Sequence, residues 1–172
     1  RDRTMFTLML HAGLRVGEVC RLRVADVQLT PEQVPFLRLQ GKGDQERVVY
    51  LSAAAAQLLD EYLKERAEER PPRIFLNYQG QPISITGIQL RMAHYCRRAD
   101  IWVTCHQLRH TYASRMIAAD VPITSVQKLL GHNSIYTTQL YIEVTDNKVE
   151  REYQAAMAKV TKGTLPGEEP VT

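Results

Sequence analysis

The hydrophobic period of this chain changes twice along its length, and those two changes constrain its fold more than any other feature. Met5, Leu8, Met9 and Ala12 recur at helical spacing, and Gly13 interrupts them just before Arg15. A second short helix is predicted over 16–22. The period then drops to two, so that 24–30, 36–40 and 46–51 read as three short strands. Pro31 and Pro35 fall in the first connection, and Gly41, Lys42, Gly43 and Asp44 form a hairpin turn in the second.

From there the pattern is helical again. An amphipathic helix is expected over 53–69, stopped by Pro71 and Pro72, followed by a loop over 77–82. Thr86 is expected to cap a helix running to Arg98, and Thr104 another, with Gln107 three residues on as its capping-box partner. Pro122 suits the first turn of the next helix and Gly131 its left-handed stop. Ser134 caps a short helix reaching Tyr141, and 146–160 form the last. The fold class expected is mainly α with a small three-stranded antiparallel sheet, an α+β domain.

A chain of 172 residues has room for one domain with a sizeable core. We assign it to 1–160 and read 161–172, with its Gly, Pro and acidic residues, as a mobile tail. The opening Arg1-Asp2-Arg3 is charged, lacks an initiator Met and runs straight into the helical pattern, so it is not read as a signal peptide. The chain reads as cut from something longer. Its 44% hydrophobic and 24% charged composition is ordinary for a globular domain, and no apolar stretch nears the roughly 20 residues that span a bilayer. Three cysteines, Cys20, Cys96 and Cys105, are an odd number at no metal-ligand spacing and suit small reduced core residues.

A net charge of +3 permits a nucleic-acid partner without demanding one. Locally the balance is sharper. Between Arg91 and Lys128 there are six basic residues against two acidic, so an acidic partner should meet that stretch. Arg91, His94, Tyr95 and Arg98 fall at i, i+3, i+4 and i+7, one face of a helix that could contact DNA or simply be solvated.

Six positions carry potential chemistry: Arg15 after the helix break, Lys42 in the hairpin turn, His106 and Arg109 on one helical face, His132 after the glycine stop, and Tyr141. Each has an ordinary reading when taken singly. An arginine at a helix end is usually solvated, a Gly-Lys-Gly is usually only a turn, and a tyrosine is usually a core or rim aromatic. His106, His110 and His132 invite a zinc reading, but the Glu of the usual metalloprotease motif is missing, Leu108 and Arg109 sit between the two helical histidines, and a guanidinium beside the metal would repel it.

Together these residues resemble the tyrosine recombinase family (phage-type and Xer-like integrases). Ala12-Gly13-Leu14-Arg15-Val16-Gly17-Glu18 is similar to its first arginine box and Gly41-Lys42-Gly43 to its hairpin lysine. His106-Gln107-Leu108-Arg109-His110-Thr111 is similar to its His-x-x-Arg box, and Leu129-Leu130-Gly131-His132 with Thr137-Thr138-Gln139-Leu140-Tyr141 to its last box. The resemblance spans residue 4 to about 150 and singles out Tyr141, nine residues beyond His132, over Tyr136, four beyond it. Cys105 departs from the pattern, standing where relatives often carry Pro.

What the resemblance implies can be checked against the demands of phosphoryl transfer. In-line attack on a phosphodiester drives charge onto its non-bridging oxygens, so fixed cationic donors are needed, and Arg15 and Arg109 suit that role. His132 would add a hydrogen bond to the same phosphate. A phenol with pKa of about 10 needs its proton taken, which falls to His106, and the departing 5′ oxygen needs one, which the hairpin lysine Lys42 would supply. Glu18 is expected to orient Arg15 or His106, or else to be a solvated helix acid. No metal or cofactor is expected.

By the same resemblance the partner is double-stranded DNA, and the assembly a homotetramer on two duplexes, with possible accessory DNA-bending factors. An N-terminal DNA-binding domain would complete the clamp, and the last helix, with Val149, Tyr153, Ala156, Met157 and Val160 on one face, would dock in cis or on a neighbouring subunit. The location implied is the cytoplasm of a prokaryotic cell, at the nucleoid, with no membrane role. Two alternatives stay open. A type IB topoisomerase would share the catalytic roles without strand exchange, and a DNA-binding module would lack the chemistry.

Overall fold

The computed structural model describes residues 1–40, 46–66 and 71–131. Helix α1 (Asp2–Ala12) is the hub of the fold. Its periodic residues Met5, Leu8 and Met9 are wholly buried, and it packs against α3 (Ala53–Lys64) and α5 (Cys105–Ala118). Burying each such side chain contributes about 1.5–3 kcal/mol, so this stripe anchors everything that follows it in the chain.

Gly13 ends α1 in the left-handed conformation, with φ 66°, and its amide donates to the carbonyl of Leu8. A Cβ there would stand 2.5 Å from the Tyr112 ring of α5, so the position needs glycine on both counts. The chain then turns into α2 (Val16–Arg21), whose cap residue is Arg15.

The three strands form one antiparallel sheet in sequence order: β1 (Val27–Gln28), β2 (Phe36–Gln40) and β3 (Glu46–Tyr50). Leu37 pairs with Val49 and Leu39 with Arg47, and these positions face inward, while Arg38, Val48 and Tyr50 face out. The first strand is shorter than its sequence pattern implies. Residues Val24–Asp26 make a single 3-10 turn because the Asp26 carboxylate accepts the Arg23 amide at 2.8 Å and the Val24 amide donates to Pro72. Helix α3 also stops early, at Lys64, where the Arg66 guanidinium donates to the carbonyls of Pro71 and Arg73 and pulls the chain back on itself.

Helix α4 (Ile85–Ala99) is capped by Ser84, whose hydroxyl accepts the Gly87 amide at 3.0 Å, not by Thr86 two residues further on. Thr104 and Gln107 form the expected reciprocal capping box at the start of α5, at 2.8 and 3.2 Å. Pro122 stands just outside the first turn of α6 (Ile123–Leu130), as its cap, and Gly131 closes that helix in the left-handed region with φ 62°. A small second core of Tyr112, Ala113, Ile117, Val126 and Leu130 holds α6 against α5. Cys96 and Cys105 are buried and Cys20 partly so, all three as free thiols. Among the described residues no helix is long and apolar enough to cross a membrane. The segment 146–160 and the tail 161–172 lie outside the described residues.

Candidate functional site

Three ends of secondary structure meet at one place: the α1–α2 corner carrying Arg15, the first turns of α5 carrying His106 and Arg109, and the C-terminus of α6. The carbonyls of the last two residues of that helix and of its glycine cap each accept from a different arginine. Arg47 takes Leu129, Arg109 takes Leu130 at 2.7 Å, and Arg15 takes Gly131 at 3.1 Å. Cations at a helix C-terminus are favoured because the unpaired carbonyls there carry the negative end of the helix dipole.

Arg109 is almost fully buried, and its second donor bonds the Gly13 carbonyl at 2.5 Å, so one guanidinium staples the end of α1 to the end of α6. Arg15 is far more open, with 45% of its side chain exposed, against 7% for Glu18. A guanidinium so placed keeps donors for an incoming anion.

Glu18 is the counter-charge for all three arginines. Its Oε1 lies 3.0 Å from Arg15 and 2.8 Å from Arg47, while its Oε2 accepts the Arg15 backbone amide at 2.7 Å and sits 3.9 Å from Arg109. Burial alone pushes this carboxyl up, but the charge of Arg47, the Arg15 amide and the charges of Arg15 and Arg109 outweigh it and hold Glu18 below its ordinary value. It is a buried anion with defined partners, and the solvated-acid alternative is excluded.

His106 and His110, one turn apart on α5, face each other with their Nε2 atoms 2.6 Å apart. Only one proton fits between two nitrogens at that distance. Burial, then the charges of His106 and Arg109, hold the His110 imidazole below its ordinary pKa.

The structure thus brings Arg15, Arg109 and Glu18 together and places His106 one turn before Arg109. Lys42, His132, Tyr136 and Tyr141 lie outside the described residues. The residue that sequence reasoning missed is Arg47. A signal for it existed: strand alternation puts residue 47 on the inward face with Val49, where a charge needs a buried partner.

The α4 face is less open than its spacing implied. Arg91 is bound to the Asp2 carboxylate at 2.6 Å and to the Tyr95 hydroxyl at 3.1 Å, and that hydroxyl itself donates to Asp2 at 3.1 Å. His94 meets the Tyr95 ring edge-on at 5.5 Å, and Arg98 is exposed. Arg21, Arg23, Arg38 and Arg73, against Asp26 and Glu46, line a cleft of about 330 Å³ that shares Glu18 in its wall.

A guanidinium pair, one buried and anchored and one open, beside a glycine-ended helix is an arrangement suited to holding a phosphate-like anion with side-chain donors. The family model described as the phage integrase family matches residues 1–148. The chain belongs to that family, the tyrosine recombinases. It is 35% identical over 162 residues to tyrosine recombinase XerD of Listeria innocua, covering 90% of this chain and 54% of the relative. It is 35% identical over 167 residues to tyrosine recombinase XerC of Vibrio parahaemolyticus, covering 94% and 53%. The chain therefore spans about half the length of the curated relatives it matches.

Among solved structures, XerA recombinase superposes with a TM-score of 0.75 at 25% identity, over 90% of this chain and 62% of that one. XerH bound to palindromic difH substrate, in a post-cleavage complex, gives 0.76 at 25% identity, over 89% and 45%. The fold expected from the sequence, mainly helical with a small three-stranded antiparallel sheet, is the one these recombinases share.

Proposed function

We propose that this domain is the catalytic part of a site-specific recombinase, cutting and rejoining double-stranded DNA through Tyr141 and a 3′-phosphotyrosyl intermediate. The observation that carries this reading is the Arg15–Glu18–Arg109 cluster at the end of α6, two residue types and a geometry that fit a scissile phosphate.

In the mechanism, Arg15 and Arg109 donate to the non-bridging oxygens, where charge grows in the transition state. Arg109 is held by the backbone on two sides, so it acts without rearranging. The phenol oxygen of Tyr141 attacks phosphorus, its proton passes to His106, and His110 receives the resulting imidazolium's hydrogen bond. The bond from phosphorus to the 5′ oxygen breaks, and Lys42 gives that oxygen a proton. His132 donates to the same phosphate. The phosphotyrosyl ester keeps the energy of the broken bond, so a 5′-hydroxyl of a second strand can attack it and reseal without ATP.

The arginine-lined cleft and Arg98 offer further contacts to the DNA backbone. Arg91 and Tyr95 already share Asp2, so their part in DNA contact is the smaller one, and His94 packs on that cluster. A homotetramer on two duplexes, accessory bending factors and action at the nucleoid in the cytoplasm complete the proposal.

Strand exchange distinguishes this reading from topoisomerase-like relaxation and from plain binding. The full-length protein, given two duplexes carrying a sequence selected by its own binding, should yield Holliday junctions. Relaxation of supercoiled plasmid without junctions, or binding without cleavage, would contradict it.

A further inference from the structure

Arg47 stands on the inward face of β3, opposite Leu39, where every neighbouring inward position is apolar. Its side chain is only 13% exposed, and it has one fork for two acceptors: Glu18 Oε1 at 2.8 Å and the Leu129 carbonyl. The carboxylate oxygen it grips is the one that also holds the Arg15 guanidinium. Its aliphatic stem fills the space beside Gly131, where a Cβ would lie 2.7 Å from its Cδ. One side chain therefore connects the strand that follows the hairpin turn, the carboxylate behind the catalytic arginines, and the last turn of α6.

We propose that Arg47 is a positioning residue for the cleavage reaction. It fixes Glu18 and the end of α6, and through them the direction in which Arg15 and Arg109 present their donors. The reaction it serves is the recombinase reading above, on which this inference rests. His132 directly follows Gly131 in the sequence, next to the helix end that Arg47 fixes. A lysine cannot replace the fork, because an ammonium of similar reach bonds one of the two acceptors in good geometry and leaves the other unpaired.

The test uses the full-length protein and the Arg47→Lys variant, which keeps the charge and a similar volume. Three quantities are read: DNA affinity, single-turnover cleavage on an ordinary substrate and on one with sulfur at the 5′-bridging position, and amide exchange at Leu130 and Gly131, the latter amide bonded to Lys128. Affinity should be unchanged. Cleavage should fall about 10²-fold on both substrates, the size of loss that slight misplacement of a reacting group produces. Exchange at the end of α6 should quicken.

A sulfur leaving group that restored the variant would mean that Arg47 acts through proton delivery by Lys42, and would overturn the proposal. So would unchanged cleavage, or unchanged exchange. If the unaltered protein formed no covalent adduct while exchange still quickened in the variant, the recombinase reading would fall and the structural link through Arg47 would stand.

Discussion

Glu18 shows why a carboxylate belongs in a site built to hold an anion. Three guanidiniums within 4 Å of one another's partners would repel, and most of this cluster is out of water, where such repulsion is weakly screened. The carboxylate offsets that charge from behind and leaves the open side of Arg15 free to donate. We expect Arg15→Ala and Arg109→Ala each to slow cleavage about 10²–10³-fold while cleavage by the unaltered enzyme survives excess EDTA, because the cationic side chains supply the charge stabilisation. Cleavage that required a divalent ion would contradict this. Arg109→Ala also strips two buried carbonyls of their donor, at about 1–3 kcal/mol each, so its melting temperature must be followed alongside. The depressed pKa of Glu18 gives a pH signature of known sign. Its stabilising effect is fully present above its ordinary value of 4.5 and is lost as pH falls through the lower folded value. Melting temperatures of the unaltered protein and Glu18→Gln, measured from neutral to acidic pH, should differ most near neutrality and converge well below pH 4.5. A constant difference across that range would assign the effect to something other than the carboxylate's charge.

At the scale of the element, the caps test how the sequence is read. Ser84→Ala should destabilise the domain by about 1 kcal/mol, since the Gly87 amide loses its acceptor, whereas Thr86→Ala should change stability by no more than about 0.5 kcal/mol. Chemical denaturation of both variants checks the assignment, and the reverse order would restore Thr86 as the cap. The sequence pattern placed α1, α2, the β2–β3 pair, α5 and the Gly131 stop correctly, because period, glycine and capping box are local signals that tertiary contacts here reinforce. It overextended β1 and α3. In both, the deciding bonds come from residues the period does not register: Asp26 closing back on Arg23, and Arg66 reaching Pro71 and Arg73. The ion pair on the α4 face was hidden from the sequence for a similar reason. Helical spacing puts Arg91 and Tyr95 side by side, but only the fold brings Asp2, 89 positions earlier, against them.

For the whole molecule, the family boxes singled out Arg15 and Arg109 before any coordinates, while the contacts of Arg47 with Glu18 and Leu129 needed the packing of β3 against α6 to emerge. The segment 146–160, outside the described residues, poses the remaining question at this scale. The helical spacing of Val149, Tyr153, Ala156, Met157 and Val160 predicts an apolar stripe that would be buried in cis or by a second copy. We propose the second, and expect truncation after Thr145 to leave single-site DNA binding intact but to reduce cooperative assembly and alter cleavage. Equal cooperativity and cleavage in truncated and intact full-length proteins, compared by gel shift and single-turnover assay, would reject it.

The central claim is that Tyr141 becomes joined to DNA, and identifying the joined residue tests it most directly. Full-length protein is incubated with a nicked duplex that traps the covalent complex, the SDS-resistant adduct is digested, and the modified peptide is sequenced. The account predicts a 3′-phosphoryl link on Tyr141, no adduct in Tyr141→Phe with DNA affinity nearly unchanged, and an undiminished adduct in Tyr136→Phe. An adduct that persisted in Tyr141→Phe, or one mapped to Tyr136, would contradict it.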